Sequence, residues 1–271
     1  MTSKRKSVGK RRIKFQHPPI EELVIGIYYV PIAELKSQHV GIYWESIRNR
    51  FPNCEQQPPV LLQLPGQPPT PLPDSPGEIF PLPRFWFSNG EHRTLVQIQR
   101  NAFWLNWRRG STGDYPHYEN VERDFWLEFD EFKNFIQGIG GKLDVVQSCE
   151  LTYINLIGPN AFFSSHAEIG NVFPSVASLS DVQGEVKKLV GINASVTYEV
   201  TNNLLVGSTI RSGKRLDTGE LVAVLELKAQ GTPSDLSLTG ARKWFKVAHD
   251  GIYDLFLNVT DKKVQTQVWK P

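Results

Sequence analysis

Two short stretches carry side chains that could move protons. In DYPHYE, Asp114 and His117 lie three positions apart on either side of Tyr115 and Pro116. A carboxylate and an imidazole at that spacing could serve acid–base transfer in a hydrolase or transferase. In AHDGIYDLF, His249 and Asp250 are adjacent. That pair falls within a helical pattern, where sequence neighbours face different directions, so it forms no relay. His249 is left to pair with Tyr253 or Phe245 as a half-buried polar residue.

Little else supports catalysis. The six histidines are scattered along 271 residues. No Gly-rich phosphate loop, GxSxG, HExxH or paired CxxC is present. Cys54 and Cys149 are the only cysteines, and no set of ligands converges in sequence. The expectation is therefore no disulfide scaffold, no metal site, no cofactor and no assigned catalytic residue.

Binding is the better-supported class. Phe103 to Phe132 holds nine aromatic rings. Within it, FWLNWRR alternates, so Trp104 and Arg108 share one strand face, and Arg100 from the preceding strand joins them. Such a face could stack bases or hold an acidic group. The structural alternative is a guanidinium lying on Trp and pairing with a carboxylate. Arg109, Tyr115, His117 and Tyr118 complete the candidate binding set. An anion could sit where the YPHYE loop meets a helix N-terminus, although Glu119 and Asn120 are equally placed to cap that helix.

The N-terminus adds an electrostatic candidate. Lys4, Arg5, Lys6, Lys10, Arg11, Arg12 and Lys14 lie in a stretch without acids. Removing these seven charges from a net charge of +2 leaves the remainder at −5. Residues 1–16 are expected to form a disordered basic arm able to contact nucleic acid or an acidic partner. No apolar segment follows it, and no run suggests a membrane span, so a cytoplasmic protein is expected.

The elements that must position these residues follow from the patterning. EELVIGIYYV reads as a strand. After Pro31, Val40, Tyr43, Ile47 and Phe51 form the apolar stripe of a helix. Residues 57–83 make a proline-rich insertion with ten prolines from Pro58 onward, too dense for a helix or central strand. Val60–Leu64 is a short strand candidate within it. RFWFS, TLVQIQR and FWLNWRR are three meandering strands, the first turn marked by Asn89-Gly90. A helix then buries Phe125, Phe129, Phe132 and Ile136. The second half repeats the plan. DVVQSCELTYINLI is a strand with Cys149, Leu151, Tyr153 and Asn155 on one side. An irregular part, three strands and a long helix follow, the helix capped by Ser234 or Asp235 and buried along Trp244, Ala248, Ile252, Leu255 and Val259. KKVQTQVWK is expected as a closing strand.

The fold class is α+β: a duplicated antiparallel sheet with one long helix packed on it per half, in residues 17–142 and 143–271. The element order is like that of TATA-box-binding-protein-like and helix-grip folds, an analogy that carries no function. Phe103, Trp107, Phe125, Phe129 and Phe132 are assigned to the core. Trp104, Tyr115, Tyr118 and Trp126 fall outside that assignment.

PPIEELVIGIYY, LVQIQRNAFWLNWRR, YPHYENV, ELTYINLI and AHDGIYDLF together resemble a family of sporadically distributed, uncharacterised prokaryotic proteins of about 250–270 residues. The resemblance implies no activity for particular residues. Scattered occurrence resembles that of mobile accessory genes, such as those for phage defence. The leading expectation is a non-catalytic binding or accessory protein that recognises a protein or another macromolecule. The alternatives are nucleic-acid binding through the arm and the Trp104/Arg108 face, and a hydrolase or transferase around Asp114 and His117. The oligomeric state stays open.

Overall fold

The computed structural model describes residues 13–63, 68, 81–110, 114–180 and 188–271. Its frame is a nine-stranded sheet in which every neighbouring pair is antiparallel. The strands are β1 (Ile20–Tyr29), β2 (Asn53–Gln57), β3 (Arg84–Ser88), β4 (Thr94–Gln99), β5 (Ala102–Arg108), β6 (Val146–Ile157), β7 (Asn193–Thr201), β8 (Leu204–Lys214) and β9 (Leu221–Gly231). They lie in the order β2-β3-β4-β5-β1-β6-β9-β8-β7. Counted outward from the β1–β6 seam, each side runs opening strand, last meander strand, middle, first. The β2 edge strand has no counterpart.

Three helices cover one face: α1 (Ser37–Ile47), α2 (Tyr118–Gly138) and α3 (Leu238–Val259). The alternation read in the sequence decides which side chains they meet. Leu23, Ile25 and Ile27 of β1, Phe103, Leu105 and Trp107 of β5, and Leu151 and Tyr153 of β6 are buried toward the helices. Phe103 lies 5.4–5.8 Å from the rings of Phe125, Phe129 and Phe132. Tyr43 of α1 reaches Phe87 and Phe132. Each fully buried ring of this kind contributes about 1.5–3 kcal/mol. One continuous core runs through both halves of the chain.

α2 and α3 run antiparallel side by side. Their contacts step from Tyr118 on His249, through Phe125 on Phe245, to the Arg242 guanidinium over Trp126. Trp126 and Tyr118 are thus buried between the helices, correcting their assignment outside the core.

Several boundaries differ from expectation. The chain is placed from Ile13, not His17: Phe15 packs against Phe256 and Trp269, and Gln16 and His17 donate backbone hydrogen bonds to Lys270 and Trp269. Lys14 is exposed there, while Lys4, Arg5, Lys6, Lys10, Arg11 and Arg12 lie outside the described residues. β2 pairs with β3 although its sequence, NCEQQ, lacks an apolar alternation. Residues 60–63 are not a strand; Gln99 instead bonds the backbone of Val60 through both its amide oxygen and its amide nitrogen. The closing KKVQTQVWK is helical, over 262–269, not a strand. It is held because the Gln265 amide donates to Leu257 and Thr260 carbonyls while Val264 and Trp269 are buried. Ser237, not Ser234 or Asp235, caps α3 by accepting from Gly240 N–H. No helix among the described residues is long and apolar enough to cross a membrane.

Candidate functional site

The sheet face away from the helices carries Trp104 and Arg108, whereas Arg100 does not join them: it continues the Val96–Ile98 side of β4, which faces the helices. The Trp104 ring is 4% exposed, set edge-on against Tyr28 and packed with Leu62 and Val60. Arg100 is 2% exposed and donates to the carbonyls of Leu35 and Ala33, tying the β4–β5 turn to the loop before α1. Neither presents a stacking surface. Arg108 pairs with Glu22 at 2.8 Å and lies over Trp86. A polar chain continues from there: Glu22 accepts from Asn106, Asn106 from Gln97, and Gln97 from Trp86 and Arg84. Arg109 donates to the carbonyls of Ile20 and Pro18, clamping the segment that leads into β1. The structural alternative for these arginines is the one observed.

The other candidates, Tyr115, His117 and Tyr118, converge elsewhere. They sit where the N-terminal end of α2 meets the C-terminal half of α3, over the β6–β9 pair at Tyr153 and Leu227. A cavity of about 140 Å³ opens there. Its walls come from Tyr118, His249, Ile252 and Phe256, its floor from Tyr153, Asn155 and Leu227, and its roof from Ile13 to Ile20. The roof is fastened by Phe15 and by Tyr253, whose hydroxyl accepts from Ile13 N–H at 2.7 Å.

Local chemistry explains how the sequence builds this end. His117 adopts φ 67°, ψ 152°, a rare conformation for a side-chain-bearing residue, and turns the loop into α2. Its side chain caps nothing, and Asn120 donates back to Pro116 O, so neither Asn120 nor Glu119 acts as the expected cap. Tyr118 then faces α3, where the His249 ring stacks on it at 3.8 Å. His249 thus has Tyr118 of α2 as a ring partner, a contact the sequence did not suggest. The Tyr153 ring lies nearly parallel to His249, with 9° between planes. The hydroxyls of Tyr115 and Tyr153 are 3.4 Å apart. Burial pushes both phenols well up from their ordinary range, so both are protonated.

Asp114 and His117 line an adjoining cleft with His17 and Arg109. No hydrogen bond joins Asp114 to His117 among the described residues. No group of three or more His, Cys, Asp or Glu side chains that could hold a metal is found among them either. Cys149 is buried and Cys54 exposed, and both are free.

Sequence reasoning missed Tyr153, Asn155, Ile252 and Phe256 as one site. A signal existed for Asn155: it continues the Leu151–Tyr153 side of β6, so a polar amide stands on a core-facing row. Compared with family models, curated proteins and solved structures, the chain matches none.

Proposed function

We propose that the protein is a non-catalytic binding protein whose recognition site is the aromatic cavity between α2 and α3. The observation that carries this reading is the cavity itself. Rings from both helices and from the sheet surround a space roofed by the N-terminal segment, and an aromatic-walled concavity with a few polar groups is the usual form of a ligand site. A flat macromolecular face fits less well, because Trp104 and Arg100 are buried. Recognition is thus of a compact group that enters beneath the roof. The accessory role implied by the family resemblance belongs to the same proposal.

The test is a thermal-shift screen of small metabolites on the full chain beside an Ile252→Trp variant, in which an indole from α3 fills the space. Compounds that stabilise the parent and leave the variant unmoved support the reading. A screen in which no compound shifts the parent, or in which every shift is equal in the two, overturns it.

A further inference from the structure

The floor of the cavity holds hydrogen-bonding capacity that the protein does not use. Asn155 is 1% exposed, and its side-chain N–H donates to Leu225 O at 3.1 Å. That bond fixes which end of the amide is nitrogen. The amide oxygen accepts no hydrogen bond among the described residues. Beside it, Tyr115 and Tyr153 own two hydroxyl protons and share a single mutual contact. One proton satisfies that contact; the other has no acceptor among the described residues. Tyr115, Tyr153 and Asn155 all line this one space, so the spare donor and acceptor are open to whatever occupies it.

Shape narrows the occupant further. A cavity of about 140 Å³ matches the roughly 150 Å³ space that accepts a benzene-sized ring. Tyr118 stacks on His249 at 3.8 Å and Tyr153 lies parallel to His249 at 6.1 Å, so these rings form an aromatic wall against which a flat guest can lie. The group that fits is a six-membered planar ring whose edge offers a carbonyl to the tyrosine hydroxyl and an N–H to the Asn155 oxygen.

We propose, resting on the binding reading above, that this cavity takes a planar lactam heterocycle, of which a pyrimidine base is the simplest example. Asn155 reads the ring N–H, the Tyr115–Tyr153 pair reads the ring carbonyl, and the three rings set its plane. Unlike the bidentate contacts by which Asn and Gln read adenine, Asn155 would contribute its oxygen alone, because its N–H is held by Leu225 O.

Calorimetry on the full chain with uracil, toluene and choline tests this. Uracil has the edge, toluene only the shape, and choline probes the aromatic walls as a cation cage. Uracil is expected to bind most tightly. Asn155→Leu and the double substitution Tyr115→Phe with Tyr153→Phe should each weaken it by about tenfold, the value of one lost hydrogen bond, while leaving toluene unchanged. The double substitution keeps both rings, so it serves where Asn155→Leu disturbs the fold. If toluene equals uracil and neither substitution matters, the edge recognition is wrong and the cavity still binds. If choline alone binds, the ligand class is wrong. If no probe binds while screened compounds still distinguish the parent from Ile252→Trp, the heterocycle proposal falls and the binding reading stands; if the screen is also blank, both fall.

Discussion

The imidazole of His249 lies on the phenol ring of Tyr118, with centroids 3.8 Å apart and 24° between planes. The two residues are 131 positions apart and belong to different helices, so this stack pins the N-terminal end of α2 to the later part of α3. It also forms one wall of the cavity. Stacked aromatic pairs contribute about 0.5–1.5 kcal/mol beyond the area they bury. A double-mutant cycle with Tyr118→Ala and His249→Ala is expected to return a coupling of that size by urea denaturation. A cycle that closes at zero would mean the helices are held without this contact.

A second close approach lies on the opposite face. Gly26 of β1 pairs with Trp104 of β5, and a Cβ at Gly26 would fall 2.2 Å from the indole Cδ1. The indole therefore lies across the bare backbone of the neighbouring strand. Gly26→Ala should destabilise by about 1–3 kcal/mol, as overpacking does. Adding Trp104→Leu removes the obstructing ring, so the double substitution should cost less than the sum of the two singles. Additive costs in equilibrium unfolding would show that the ring moves aside freely.

The contrast between Trp104 and Phe103 shows what sequence patterning can and cannot reach. Alternation places Phe103 toward the helices and Trp104 away from them, and both placements hold. Alternation assigns faces, however, and not cover. Trp104 is buried because Tyr28 and the segment at Val60 and Leu62 pack on it, which no local period announces. β2 escaped notice for a related reason: an edge strand with three exposed residues needs no apolar rhythm. The closing segment misled in the opposite direction, since Val264, Val268 and Trp269 suit either period and Gln265 decides for a helix through bonds to Leu257 and Thr260. The α2 stripe of Phe125, Phe129, Phe132 and Ile136 was legible because one helix face and one core explain it fully. The cavity was not, because its residues come from five separate stretches.

Burial raises the carboxyl of Glu122 above the usual carboxylate range. A carboxyl so raised keeps its proton in the folded chain at a pH where the unfolded chain has lost it. Folding then takes up protons, and stability falls as pH rises through that window. Glu122→Gln removes the cost of the ionised form. It should raise the melting temperature slightly at pH 7, and the difference from the parent should vanish as pH drops below the ordinary glutamate value. Thermal melts of both proteins across pH 3–8 check this, and a gain that persists at the acid end would assign the effect to packing instead.

Two buried tyrosines separate the value of a phenol ring from that of its hydroxyl. Tyr29 is enclosed with its hydroxyl 3.1 Å from Gln99 O and 3.0 Å from Ala102 O, so its proton is held at the β4–β5 turn. Tyr43 is equally enclosed among Phe87, Phe132 and Phe135, yet its hydroxyl has no hydrogen-bond partner among the described residues. The same substitution should therefore act with opposite signs. Tyr29→Phe leaves carbonyls without their donor and should cost about 1–2 kcal/mol. Tyr43→Phe removes an unsatisfied buried hydroxyl, keeps every ring contact, and should stabilise by about 1 kcal/mol. Denaturant midpoints of the two variants at one pH decide the matter. A loss in Tyr43→Phe matching that of Tyr29→Phe would show that its hydroxyl is bonded in solution, to a water held inside the core.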